Sequence, residues 1–508
     1  MKITVYGGAG VIGGNKVHVG LGDRGAFLDF GESFDLGNKF CSEFVRPRTG
    51  RGLRDFLRLG MLPPLDCYRP DLYPADLSMT DMAPVRVDAL FLSHAHFDHY
   101  GNAGFLRHDI PIVSSSMTYA ILRASSEIGR TGMSTELFDH VVREPKEMEP
   151  RILVSPRNKD KEVQGRRWVL TGKMVEEDPE WRMGGCCQVT EGNGELNGIE
   201  YKAFPVDHSI YGATAFALRR AGGDWLVYSG DLRMHGVNGD DTALFAGRAR
   251  ELRPKALIIE GTRIGRGSPK VEMTERMVHD NCLAAVEEGS GLTIADFSAN
   301  NFERLDTFID IARRTGKRMV VTHRDVALLQ SIARVDGNVR KDSLWVYRSL
   351  SDRDADMVDD LGDRGWQVAD PDDIASEPEE HMLCLSFWDM AKLLDLEWRG
   401  GTYVYSNSMA YDLRQTDNLQ KLMNWIDLMG FDCRGISKTN GALDFEEGFH
   451  SSGHLALDDL WRVVETISPE VVVPVHCAFP ELFAEMCPVR TIVPEKGKVI
   501  DLDRGTSR

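Results

Sequence analysis

Between Phe91 and Asn102 the chain reads FLSHAHFDHYGN, which places His94, His96, Asp98 and His99 within six positions directly after an apolar run. A lone histidine is ordinarily a surface or hydrogen-bonded core residue. Four nitrogen and oxygen donors in one short loop form a ligand set. Alternate residues His94 and His96 can point at one ion, while Asp98 and His99, beyond the turn, reach a second. Imidazole and carboxylate donors suit zinc, manganese or iron. A two-ion site needs further ligands, and the chain supplies them at the ends of apolar runs: His208 in PVDHS, Asp231 in LVYSGD and His476 in VVVPVHCAF. A carboxylate at Asp231 can bridge both ions.

The opening YGGAGVIGG carries a different signal, the G-x-G-x-x-G spacing of dinucleotide-binding loops. In that motif the third glycine opens a helix whose N-terminus holds the pyrophosphate. Here Gly13 and Gly14 lead into NKVHVG, whose alternation is that of a strand. Gly7, Gly8, Gly10, Gly13 and Gly14 are therefore expected to form a tight turn between antiparallel strands, where positive φ angles are needed.

The elements that must position these residues read in two rhythms. ITVYG, NKVHVG, AFLDFG, DALFLS and DWLVYSGD are strand-like, with little helix between them. After Asp231, apolar runs KALIIE, GLTIADF and KRMVVT alternate with amphipathic stretches, a parallel α/β pattern. From HSSGHL to the end, strands with histidine-bearing loops return. A chain of 508 residues is long enough for two buried domains. The expected layout is residues 1–264, an inserted 265–430 domain, and 431–508 completing the first.

A formal charge of −18 excludes a uniformly positive surface for nonspecific nucleic-acid binding, though not a local groove. Arg46, Arg48, Arg51, Arg54 and Arg58, opposed nearby only by Asp55, read as a solvated face rather than a phosphate track. RRTGKR, Arg313 to Arg318, fits the end of a helix. Nine scattered cysteines without a C-x-x-C pair suggest neither disulfides nor a cysteine zinc site. With no basic leader before ITVYGG and no apolar run near a membrane span, the expectation is a cytoplasmic protein without a membrane partner.

The ordered set AFLDFG, SHAHFDH, VDHS and SGD resembles the metallo-β-lactamase fold hydrolases. LIIEGTRIG with Glu260, HSSGHL with His454 and PVHCAF with His476 resemble motifs A, B and C of the β-CASP nucleases, and HSSGHL with its spacing to PVH is most similar to the ribonuclease J group. The resemblance covers nearly the whole chain. It implies an αββα metallo-β-lactamase sandwich with an inserted parallel α/β β-CASP domain, a homodimer, and an RNA substrate. It implies two divalent ions, zinc or alternatively manganese, with His94, His96 and His208 on one, Asp98, His99 and His476 on the other, and Asp231 bridging. A hydroxide held by two ions attacks phosphodiesters in line, so the implied activity is ribonuclease, 5′ exo, endo or both. Asp98 would orient or deprotonate the nucleophile. His454 would contact the scissile phosphate or protonate the leaving oxygen, with Glu260 orienting it. Asp29 would anchor the loop behind the metals, and Ser406 and Ser408 would bind substrate phosphate.

Several stretches depart from that pattern. Motif C reads VHCAFPE where the family usually has VHGE, YSNSMAYD replaces the phosphate-binding S-G-S-Q-G-E, the expectation is a protein without the family's usual extra C-terminal domain, and the 130–196 segment is long enough to reshape the entrance. Discrimination between 5′-monophosphate and 5′-hydroxyl RNA is accordingly expected to be weak. His450 is read as a loop residue, His235 as a surface residue, and Cys477 as packing. Alternatives are a DNA nuclease, a lactone or small-ester hydrolase, or a noncatalytic assembly subunit. Glu260, His454 and His476 argue against the esterase, His476 favours RNA over DNA, and the intact ligand set argues against the noncatalytic subunit.

Overall fold

The computed structural model describes residues 1–42, 44–129, 132–156, 161–173, 187–266, 272–407, 413–439 and 442–503. Two sheets face one another. One has eight strands in the order Gln188–Glu191, Arg167–Leu170, Ile112–Ser114, Ala89–Phe91, Arg24–Phe30, Lys16–Leu21, Lys2–Gly7 and Val499–Asp501. The other has six: Glu195–Leu196, Ile199–Pro205, Thr214–Arg220, Leu226–Tyr228, Ala256–Glu260 and Val471–Val475.

Side chains alternate across each strand, as a period of two requires. Leu28, Phe91, Phe216, Ile258 and Val473 point between the sheets into one shared core. Their neighbours point outward: Phe27 and Leu90 on one side, and Ala217, Leu257 and Val472 on the other. Helices cover these outer faces. Phe245 of Gly239–Glu251, Leu460 and Val463 of Leu457–Ile467, and Phe483 of Pro480–Met486 pack on the six-stranded sheet. Tyr119 and Leu122 of Ser116–Ile128 pack on the eight-stranded one. The layers are thus helix, sheet, sheet, helix.

A third sheet has seven strands, all parallel: Gln367–Ala369, Leu344–Tyr347, Arg318–Val321, His381–Cys384, Leu292–Asp296, Gly401–Tyr405 and Phe431–Arg434. All of it lies in sequence between Ala256–Glu260 and Val471–Val475, which pair directly with each other in parallel. The expected α/β rhythm is therefore present, except that KALIIE belongs to the six-stranded sheet.

Two expectations need correction. The first half is not poor in helix, since Ser116–Ile128 and Gly239–Glu251 both lie before residue 255. The described parts of the long 130–196 segment add two strands to the edge of the eight-stranded sheet, parallel to Ile112–Ser114. The arginine cluster is not opposed by Asp55 alone: Arg48 pairs with Asp55, while Arg51 and Arg54 both pair with Asp76. RRTGKR does fall where Phe302–Arg314 ends. No helix among the described residues is long and apolar enough to cross a membrane.

The candidate metal centre

Every strand that feeds the site ends at one edge of the sandwich. Leu28 pairs with Phe91 in register, so Asp29 and the loop from Ser93 emerge side by side. In the facing sheet Tyr228 pairs with Ile258, and Glu260 with Val475, which brings Asp231, Glu260 and His476 to the same edge. His208 follows Ile199–Pro205 there as well. Asp98 and His99 sit on the short helix Phe97–Tyr100. Asp29 and His476 adopt left-handed backbone, φ 56 and φ 50, a conformation that costs a non-glycine residue strain and that the surrounding structure must hold.

The glycine turn explains why the helix can come so close. Lys2–Gly7 and Lys16–Leu21 pair antiparallel, and Gly8, Gly10, Gly13 and Gly14 between them have positive φ. A Cβ on Gly13 would lie 2.8 Å from Asp98 Oδ2, so a side chain there would collide with a candidate ligand.

Hydrogen bonds fix which nitrogen each imidazole presents. Ser93 Oγ donates to Asp29 Oδ2 at 2.7 Å and so accepts from His94 Nδ1 at 2.9 Å. His99 Nδ1 donates to Asp29 Oδ2 at 2.7 Å, and His208 Nδ1 donates to the Gly453 carbonyl at 2.5 Å. Thr262 Oγ1 donates to the His476 carbonyl at 3.3 Å and accepts from His476 Nδ1 at 2.7 Å. These partners leave Nε2 of His94, His99, His208 and His476 aimed inward, as metal-ligating histidines are usually held. His96 alone presents Nδ1.

The inward atoms oppose one another. His96 Nδ1 lies 3.0 Å from His94 Nε2 and 3.1 Å from His208 Nε2, and at most one of those contacts can carry a proton. His476 Nε2 stands 3.0 Å from Asp98 Oδ2, and His99 Nε2 stands 3.2 Å from Asp231 Oδ2. Asp231 Oδ1 is buried without a hydrogen-bond partner among the described residues. Buried lone pairs facing each other are costly unless a cation lies between them. The donor set therefore fits divalent metal ions. His94, His96 and His208 have donor atoms within 4.8 Å of one another, as do Asp98, His99 and His476, and Asp231 belongs to groups reaching both sides, with His94 and His99 and with His454 and His476.

Burial pushes the imidazoles of His94, His208 and His96 toward their neutral, metal-binding form, His96 down to about 4. Burial acts the same way on His99 and His454, but carboxylates overcome it. Asp231, Asp98 and Asp29 raise His99, and Glu260 raises His454. Asp98 is held well below the usual carboxylate range because His99 and His476 outweigh its burial.

His454 stands beside the ligands. Its Nδ1 is 3.0 Å from Glu260 Oε2 and 3.9 Å from Asp231 Oδ2, and its side chain keeps 22% exposure, enough to meet a substrate. Glu260 is itself fixed by the amides of Leu232 and Thr262.

Other expected residues lie elsewhere. Ser406 is buried; its hydroxyl donates to the Phe449 carbonyl at 2.6 Å and accepts from Arg304, so it braces the interior. Ser408 lies outside the described residues. His235 is not a surface residue, since its ring is buried and its Nε2 donates to the Ser452 carbonyl at 2.7 Å, bracing the loop that carries His454. Cys477 is buried in the core against Gly261. His450 lies beside Arg304 and Glu275, and burial pushes its imidazole down to about 3.

Sequence reasoning missed the group that ties these loops together. Arg233, fully buried, donates to Asp207 at 3.1 Å, to Glu275 at 3.0 Å and to Glu303. Arg304 continues the chain to Glu275 at 2.7 Å and to the carbonyls of Ser406 and Phe449. Asp207 adjoins His208 and Arg233 follows Asp231 by two, while Glu275 and Glu303 come from helices Glu275–Glu288 and Phe302–Arg314. Only the proximity of DLR to the ligand Asp231 hinted at it, because the partners are distant in sequence.

The Metallo-beta-lactamase superfamily profile matches residues 70–120. Ribonuclease J of Mycolicibacterium smegmatis is 23% identical over 487 residues, covering 90% of this chain and 73% of that protein. Ribonuclease J of Mycobacterium tuberculosis is 23% identical over 450 residues, covering 84% of this chain and 66% of that protein. Among solved structures, a protein of unknown function from Enterococcus faecalis superposes with a TM-score of 0.66 at 20% identity, covering 98% of this chain and 99% of the other, a likeness of fold. The matched span holds His94, His96, Asp98 and His99, and the sandwich fold, the converging donors and the relatives together make the chain similar to metallo-β-lactamase-fold proteins and to ribonuclease J.

Proposed function

We propose that this chain is a metal-dependent ribonuclease that hydrolyses RNA phosphodiester bonds, from the 5′ end, internally or both. The observation that carries the reading is the convergence of His94, His96, His208, Asp98, His99, His476 and Asp231, whose inward nitrogen and carboxylate atoms crowd one buried site. The ribonuclease J relatives supply the substrate class.

Two divalent ions held by these residues, zinc or manganese, would supply the Lewis acidity that polarises a phosphodiester and makes water acidic. The protein's own groups do the rest. Asp98, kept ionised by His99 and His476, orients the attacking water and accepts its hydrogen bond. His454, whose imidazole Glu260 raises against the opposing effect of burial, donates to a phosphoryl oxygen or to the departing ribose oxygen. Asp29 holds His99 in one tautomer and Thr262 holds His476 in one. The parallel sheet between residues 292 and 434 is assigned the role of the inserted β-CASP domain, its helices bolted to the ligand loops through Arg233.

The test incubates purified protein with end-labelled RNA and DNA of the same sequence, with zinc, manganese or magnesium. RNA cleavage well above DNA cleavage is expected; cleavage of neither with any of the metals would overturn the reading.

A further inference from the structure

A cavity of about 620 Å³ is lined by the glycine turn and by none of the proposed metal ligands. Its size is that of small-molecule sites. Gly8 and Gly13 belong to its wall. Cβ atoms built on them would lie 3.3 Å from the His476 amide nitrogen and 2.8 Å from Asp98 Oδ2. One thickness of glycine backbone therefore separates the cavity from two of the proposed ligands. The turn is also held from the metal side, since the His476 amide donates to the Gly8 carbonyl at 2.9 Å and the Asn15 amide to the Asp98 carbonyl at 3.0 Å.

The lining is of two kinds. Tyr6, Leu36, Leu57, Met61 and Leu62 make it largely apolar. Lys16 and Lys496 bring two cations, with Asp35 the carboxylate that also lines it. Lys16 is buried, its Nζ donates to the Gly31 carbonyl, and among the described residues neither lysine forms an ion pair. A buried ammonium is costly unless it is fully compensated, and burial, with the nearby Lys496 charge, outweighs Glu32 and pushes the Lys16 amine down to about 7, so an arriving anion would restore its charge. Between the lining residues Ser33 and Asp35 in sequence, Phe34, 45% exposed, stacks on Phe97 of the metal loop with ring centroids 6.4 Å apart. Exposed aromatic faces suit nucleobases.

We propose that this cavity binds one nucleotide unit, its phosphate at Lys16 and Lys496 and its base against the apolar lining. The unit comes either from the RNA chain next to the cleavage site or from a released 5′-mononucleotide, which share this chemistry. An occupant presses on the turn that backs Asp98 and His476, so binding there would be felt at the metals. The proposal rests on the ribonuclease reading for its choice of ligand.

The experiment measures calorimetric binding to the full chain after metal removal, so that neither catalysis nor metal–phosphate contact contributes. The probes are adenosine 5′-monophosphate, adenosine, and the 5′-hydroxyl dinucleotide ApA. Lys496→Glu changes an exposed residue, and Leu36→Trp fills the cavity without touching a lysine; thermal melting confirms that each folds. Adenosine monophosphate should bind at least about tenfold more tightly than adenosine, and each variant should weaken it by about tenfold or more. Binding of the monophosphate alone assigns the cavity to product, and binding of ApA as well assigns it to substrate. No binding at millimolar monophosphate, or equal binding by wild type and both folded variants, overturns the proposal. RNA cleavage by the metal-loaded wild type is scored separately: cleavage with no cavity binding sinks the cavity alone, and absence of cleavage sinks the ribonuclease reading.

Discussion

His454 Nδ1 lies 3.0 Å from Glu260 Oε2, and Glu260 ends the strand that pairs directly with the strand leading to His476. The proposed proton donor thus stands beside the proposed metal ligands, within reach of Asp231 and His476 but outside the converging atoms of His94, His96 and His208. His454→Ala should keep its metals and lose about 10²–10⁴-fold in rate, the range for a general acid or charge-stabilising donor. Glu260→Gln should show a smaller loss in the same direction. His476→Ala should instead release metal. Equal metal loss in the His454 and His476 variants, read by elemental analysis, would refute this division of labour.

Arg233→Met removes the cation shared by Asp207, Glu275 and Glu303 and leaves their carboxylates buried. Loss of one partner in such a group costs about 3–5 kcal/mol, so urea unfolding should show a drop of that order. Arg233→Lys should recover little of it, because a single ammonium cannot reproduce three directed contacts. A near-neutral Arg233→Met variant would show that the network is not what joins the ligand loops to the helices.

Ser406 spends its hydroxyl on Phe449 and Arg304, which leaves one fewer donor for a terminal phosphate. RNA with a 5′-monophosphate should be cleaved less than about a hundredfold faster than its 5′-hydroxyl counterpart, a difference below about 2.7 kcal/mol in transition-state binding. Initial rates on two otherwise identical labelled RNAs decide it, and a ratio above a hundred would mean that the pocket is built from other donors.

Away from the metals, His140 is buried beside Arg69 and Asp71, and burial, with the Arg69 charge, pushes its imidazole down to about 4. In the unfolded chain it takes a proton near its ordinary pKa of 6.5, whereas the folded state refuses one until about 4. The unfolded state therefore binds more protons in that window, and stability should fall as pH drops from 6.5 toward 4. His140→Phe should flatten that slope in metal-free protein. An unchanged slope in melting temperature against pH would exclude His140 as a contributor.

Much of the site was legible because its donors lie in short motifs at strand ends, where residue type and position both speak. SHAHFDH announced four candidate ligands by itself, and the glycine turn was recognised from the strand that follows it. Long-range contacts were not legible. Thr262 as the partner of His476, Asp76 as the counter-ion of Arg51 and Arg54, and the Arg233 network all join residues far apart in the chain. The inward turn of Ser406 was equally hidden, since a serine after a strand reads the same whether its hydroxyl faces solvent or core. Asp29 sits between these cases: its motif suggested an anchoring carboxylate, and only the folded register places it under both Ser93 and His99.

The central claim is that RNA cleavage depends on metal held by the converging histidines and aspartates. The most direct measurement is metal content by elemental analysis beside the rate of RNA cleavage, for wild type, chelated and reconstituted protein, and Asp231→Asn. The account predicts close to two transition-metal ions per chain, loss of activity with chelation, recovery on adding zinc or manganese, and a parallel fall of occupancy and rate in Asp231→Asn. A metal-free preparation that cleaves RNA at the full rate would contradict it.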